Sequence, residues 1–320
     1  LALTVTGDVS IAGTLTGNAS AITIGKMLEI TNGGTYTETS GTTLISGQPD
    51  GDYVLRNHDG GTYTKHATGI LKIARTSASG TKYAKFGEDV YNDVILENTS
   101  SGSVVAIVGV MNLAGDLTVV GGELRSYGGT GAIDIDGDVS IEDGGKFSTE
   151  TSQLAAGGVN ADFGSLTIAS GGEYDATPLT TTITSKTSDN YGIKGGGTFT
   201  HNNGEVKVTG NAFRFPIGAT YYDFTWDTSS EPCYLYSTTL SGGATIDGTQ
   251  NAGYTAILGT LKINDRGFVP YNATKVFINN LIVGDNTDSA NATNFDMQDS
   301  DVFDGDVIVN NILINADGQL

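Results

Sequence analysis

Apolar and polar residues alternate in short runs along most of the chain, and a glycine closes nearly every run. Leu3 and Val5 precede Gly7-Asp8, Val9 and Ile11 precede Gly13, and Leu15 precedes Gly17. A period of two sends successive side chains to opposite faces of an extended segment, so these runs predict strands. No window sustains the three- and four-residue spacing of an amphipathic helix.

The runs also repeat. Leu28-Glu29-Ile30-Thr31-Asn32-Gly33-Gly34-Thr35-Tyr36 has the form apolar-x-apolar, then Gly-Gly, then an aromatic. Val139 to Phe147 and Leu166 to Tyr174 match it, and Leu117 to Leu124 matches with leucine last. Gly33-Gly34-Thr35-Tyr36-Thr37 returns intact 27 residues later as Gly60-Gly61-Thr62-Tyr63-Thr64, and other Gly-Gly pairs lie 23 and 27 residues apart. Recurrence at this period marks a solenoid, in which each coil buries its apolar face against its neighbours. The expected fold is all-β: a right-handed parallel β-helix whose coils run about 23–31 residues. The Gly-Gly pair suits a corner needing positive φ and no β-carbon. The aromatic after it is expected to point inward and stack on its equivalent one coil away. The competing architecture is an array of antiparallel β-sandwich modules, with Asn32-Gly33, Asp59-Gly60, Asp136-Gly137, Asp143-Gly144 and Asp304-Gly305 as hairpin turns.

Along the chain, residues 1–194 read as regular coils. Within them, roughly 78–115 stands apart as a coil covered on both faces or as an insertion, because Val104 to Val110 is nearly continuous in apolar residues. Residues 195–240 read as an aromatic-rich interruption, and 241–320 as resumed coils. Asn279-Asn280 and Asn310-Asn311 mark the same point of two coils 31 residues apart. The pattern is already running at Leu3 and still running at Ile314, which predicts a repeat continuing beyond both ends.

Composition narrows the picture. With 46 Gly but only 5 Pro, and an abundance of β-branched residues, the chain is neither collagen-like nor disordered. A net charge of −20 argues against nucleic acid and against anionic membrane. No run approaches the roughly 18 apolar residues of a membrane span. The single cysteine, Cys233, rules out an internal disulfide framework.

Candidate chemistry is sparse. Asp134, Asp136 and Asp138 alternate, so extended backbone turns all three to one side. Asp299, Asp301, Asp304 and Asp306 form a second acidic cluster. Hard oxygen ligands at such spacing suit a structural Ca²⁺, although neither run matches an EF-hand loop, and an acidic solvated turn is the plain alternative. No other cofactor is expected. By alternation Tyr222, Phe224 and Trp226 share a face, and with Tyr234 and Tyr236 they make either a ligand-binding platform or a plug of core aromatics. His58, His66 and His201 are too scattered for a metal trio, and no Gly-x-Ser-x-Gly elbow is present. The expectation is therefore a protein that is not an enzyme.

The segments "GDLTVVGGEL", "GDVSIEDGGKF", "GSLTIASGGEY" and "GTFTHNNGEVKVTG" resemble the repeats of β-solenoid phage tail and head fibres and other virion appendages. They are also similar to repetitive bacterial surface adhesins, whose Phe-Pro-hydrophobic-Gly element "FRFPIGATYYDFTW" resembles. The resemblance covers nearly the whole chain, in style of repeat. It implies display on a virion or cell surface, homo-oligomerisation (often as trimers) or assembly with other virion or surface proteins, and binding to a host-surface glycan. Some relatives are polysaccharide-degrading tailspike enzymes, which would require two carboxylates converging in a groove.

Overall fold

The computed structural model describes residues 2–47, 49–75, 80–99, 102–127, 131–149, 158–210, 214–228, 233–239, 244–246, 249–251, 254–264, 267–269, 275–284, 293–295, 306–315 and 318–319. It forms two compact units, Leu1–Ala161 and Asp162–Leu320. Each is a stack of short parallel strands, a parallel β-solenoid. Among the described residues no helix is long and apolar enough to cross a membrane.

In the first unit, three strand faces follow one another around each coil. The first face runs through Leu3–Val5, Ile22–Ile24, Thr42–Ile45, Ile70–Arg75, Asp93–Asn98, the start of Leu117–Tyr127 and Val139–Ile141. The second runs through Val9–Ile11, Leu28–Ile30, Tyr53–Asn57, Gly80–Lys85, Ser103–Val108, the end of Leu117–Tyr127 and Gly145–Ser148. The third holds Thr14–Thr16, Thr35–Thr37 and Thr62–Thr64, then Val90–Tyr91, Met111–Leu113 and Ile133–Ile135. Period-two alternation dictates the inside. Ile24, Ile45, Ile73, Leu96, Val119 and Ile141 stand in register as one column, and all are buried. The apolar run within 78–115 is a strand of the second face, held in register between its neighbours.

The Gly-Gly corners divide their labour. Gly33 carries φ 79°, which L-residues with a β-carbon rarely adopt. Gly34 has ordinary φ, but a β-carbon there would lie 2.0 Å from the carbonyl oxygen of Ile11 on the adjacent coil. The same two requirements fall on Gly144, with φ 79°, and Gly145, 2.3 Å from the Val119 oxygen. The corner then carries the chain on to the next face. It does not return the chain on itself: the N–H of Gly33 donates to the carbonyl of Gly60 on the next coil at 2.8 Å. That is why the antiparallel alternative fails although its turn dipeptides are present. Among the described pairings only Ala244–Ile246 with Thr249–Asn251 is antiparallel.

The aromatics after the corners stack inward. Tyr36 and Tyr63 have centroids 5.4 Å apart, and Tyr91 continues the column 3.9 Å from Tyr63. In the second unit Tyr174, Phe199 and Tyr221 repeat the arrangement at 5.8 and 5.4 Å.

The second unit has a long ladder through Thr180–Ile183, Glu205–Val208, Asp223–Trp226, Tyr254–Ile263, Lys275–Val283 and Asp306–Ile314. A second ladder joins Arg214–Ile217, Cys233–Thr239, Gly267–Val269, Thr293–Phe295 and Gly318–Gln319. In the aromatic-rich segment the described strands pair in parallel, with a register shift between Pro216 and Ile217. Asn310 donates to Asn279 and Asn311 to Asn280, at 3.1 and 3.0 Å, making two asparagine columns. Coil length varies more than the repeat implied. Glu205 stands opposite Asp223, eighteen residues on, and Phe224 opposite Leu261, thirty-seven residues on. Corners absorb most of the difference, and bulges within strands, as between Leu96 and Glu97 or Ile257 and Thr260, take up a residue or two more.

Candidate functional site

In the first unit a polar cleft of about 380 Å³ lies where two corners meet. One corner is Asn57-His58-Asp59-Gly60-Gly61, following the strand Tyr53–Asn57. The other is Gly87-Glu88-Asp89, following Gly80–Lys85. Gly60 and Gly87 hold φ of 83° and 78°, turning both backbones so that side chains of the two coils converge.

At its base lies Asn57, 1% exposed. Its Nδ2 donates to the Phe86 carbonyl at 3.0 Å and to Asp89 Oδ2 at 2.8 Å, and Asp89 Oδ2 also accepts the N–H of Tyr63 at 2.7 Å. Among the described residues Asn57 Oδ1 has no hydrogen-bond partner. His58 Nε2 meets Glu29 Oε1 at 2.8 Å, and this bond, above all, holds the Glu29 carboxyl below its usual range. Lys85 donates to Asp59 at 2.7 Å and lowers the Asp59 pKa. The cleft thus offers mainly acceptors, with Lys85 and His58 already engaged.

Other sites read from the sequence fall elsewhere. Phe224 and Trp226 are 1% and 0% exposed, with the Phe215 ring edge-on to both at 5.2 and 5.9 Å. They are core side chains, so they cannot form a surface platform. Tyr222 does not share their face. It sits at a bend between Thr220–Tyr221 and Asp223–Trp226, which breaks the alternation and leaves it 36% exposed, stacked on His201 at 6.0 Å. Burial lowers the His201 pKa. The strand carrying Tyr234 and Tyr236 pairs with Arg214–Ile217, but both side chains lie outside the described residues.

The acidic run is also dispersed. Asp134 and Asp136 are exposed at the third face and the bend after it. Asp138 belongs to a vertical column: its N–H donates to Asp116 Oδ1 at 2.8 Å, and the N–H of Asp116 donates to Asp93 Oδ1 at 3.0 Å. Among the described residues no group of three His, Cys, Asp or Glu is placed to hold a metal ion. Asp299, Asp301 and Asp304 lie outside the described residues. The backbone of Asp306 pairs with Lys275, and its side chain lies outside them.

Sequence reasoning missed the Asn57–Asp89 corner. The available signal was two glycine-bearing corners, each with acidic residues, about one coil apart. No family model, no curated protein and no solved structure matches the chain.

Proposed function

We propose that the chain is an extracellular structural or adhesive shaft element, of the kind that builds virion fibres and appendages, and that it presents a host-binding surface. The observation that carries this reading is the columnar order within each unit. Aliphatic, aromatic, aspartate and asparagine side chains stack on their own kind from coil to coil. Such columns place stability in the repeat and leave the outward positions free to vary, which suits extension and display. An acidic outer surface favours solubility over adsorption to polyanions.

A glycan-cleaving role has less support. It needs a carboxyl group with raised pKa facing a second carboxylate across a groove. Among the described residues of the first unit, Glu38 is a carboxyl whose pKa burial raises, but it is 0% exposed and does not line the cleft.

The test is immunogold electron microscopy with antibodies to the purified chain, on particles and on cells. Label along appendages projecting from virions is expected. Label on cell-anchored filaments would favour the bacterial adhesin alternative, and label confined to the cell interior would overturn both.

A further inference from the structure

Where the first face passes to the second in the first unit, a cation is buried with no anion beside it among the described residues. Arg75 closes the strand Ile70–Arg75 and is 1% exposed. Its Nη1 donates to the carbonyls of Gly80 and Val104 at 3.0 and 2.7 Å. Its Nε and Nη2 have no hydrogen-bond partner among the described residues. Burial alone acts on its pKa, and lowers it, as expected of a guanidinium with no carboxylate near.

Two neighbours share the condition. Asn98 stands opposite Arg75 in the ladder and accepts its main-chain N–H through Oδ1 at 3.2 Å, which leaves the amide nitrogen Nδ2 without a partner. Ser103 stands opposite Gly80, is 1% exposed, and has an unpartnered hydroxyl. The next coil closes over this corner with Gly122. A β-carbon there would lie 2.5 Å from Asn98 Cβ and 2.9 Å from the Ser103 carbonyl oxygen.

The unsatisfied groups are therefore guanidinium N–H, amide N–H and a hydroxyl able to donate. A buried donor without an acceptor costs about 1–3 kcal/mol, and more for a charged one. Water could accept from these donors and donate to the Ser103 hydroxyl, but it would leave the guanidinium charge uncompensated. An anion accepts from every donor at once and neutralises the guanidinium. We propose that this corner binds a small inorganic anion, chloride being the simplest, through Arg75, Asn98 and Ser103.

The experiment is thermal unfolding of the full chain at constant ionic strength, exchanging chloride for the bulky, poorly coordinating gluconate. Ionic strength must stay fixed because at a net charge of −20 any salt relieves self-repulsion. The expected result is a Tm that is higher in chloride and rises with the logarithm of its concentration. The difference should shrink in Ser103→Ala and vanish in Arg75→Met. Should Arg75→Met fail to fold, bromide-soaked crystals of the unaltered protein decide, with an anomalous peak expected within hydrogen-bond reach of Arg75. Equal Tm in the two salts, or a corner that holds only water, overturns the proposal.

Discussion

The hydroxyl of Tyr36 meets the hydroxyl of Thr43 at 2.6 Å inside the first unit, and seven residues separate them. Tyr174 and Thr181 form the same pair in the second unit at 3.2 Å, again seven residues apart. All four are buried. Thr43 occupies a column otherwise filled by Ile22, Leu71 and Val94, so its hydroxyl depends on the tyrosine. Tyr36→Phe should therefore cost about 1–3 kcal/mol in urea unfolding, since it leaves that oxygen orphaned. Adding Thr43→Val should recover most of the loss. A double variant no more stable than Tyr36→Phe would show that the pair is not coupled.

At the corner Gly33-Gly34, the two glycines should respond differently. Gly33 faces open space and needs only the left-handed backbone, so Gly33→Asn should cost less than about 1 kcal/mol. Gly34→Ala forces a methyl group onto the Ile11 carbonyl and should cost more than about 2 kcal/mol. Chemical denaturation of both variants measures the order.

Glu38 makes stability depend on pH. Burial raises its pKa above the ordinary value of 4.5, outweighing the N–H of His66 donated to Oε2 at 3.0 Å. A raised pKa means that the folded state favours the protonated form. The contribution is therefore complete below pH 4.5 and is lost as pH rises through the folded-state value. Glu38→Gln keeps an acceptor for His66 and carries no charge. It should raise Tm at pH 7 and flatten the dependence of Tm on pH just above 4.5, as calorimetry across that range would reveal.

The aspartate column predicts a contrast between two replacements. Asp116→Ala removes the acceptor for the N–H of Asp138 and should cost about 1 kcal/mol. Asp116→Asn keeps the acceptor and removes one of the stacked negative charges, so it should be neutral or mildly stabilising at low salt. Melts of the two variants at low and high salt separate the bond from the repulsion.

Trp226→Ala should destabilise by about 3–5 kcal/mol, as a fully buried aromatic in contact with Phe215 requires. Tyr222→Ala, at the bend before Asp223–Trp226, should cost less than about 0.5 kcal/mol because its ring is at the surface. Equilibrium unfolding ranks them, and a folded Trp226→Ala protein of unchanged stability would contradict the core assignment.

The strands and their inward residues were legible because both depend on local alternation. Leu28, Ile30 and Tyr36 announce their burial by spacing alone. The Gly-Gly corner was legible for the same reason, since a backbone requirement is written at one place. Relations between coils were less so. Which residue lies opposite Asp138, Asn57 or Arg75 depends on corner lengths, and these vary from coil to coil. Hence, of the aspartates read as one side of a single strand, Asp138 joins a column with Asp116 and Asp93 while Asp134 and Asp136 lie elsewhere, and the cleft of Asn57 and Asp89 had no contiguous motif. The bend at Tyr222 was hidden too, because strict alternation assumes a straight strand.

The spread of coil lengths has a consequence for how such a protein can change. Eighteen residues bring Glu205 opposite Asp223, and thirty-seven bring Phe224 opposite Leu261, within one unbroken ladder. The longer path even carries an antiparallel pair, Ala244–Ile246 with Thr249–Asn251. Length is thus chiefly a freedom of the corners. New sequence can enter there by duplication or grafting without renegotiating the interior, so what the surface displays can diverge while the scaffold is inherited unchanged.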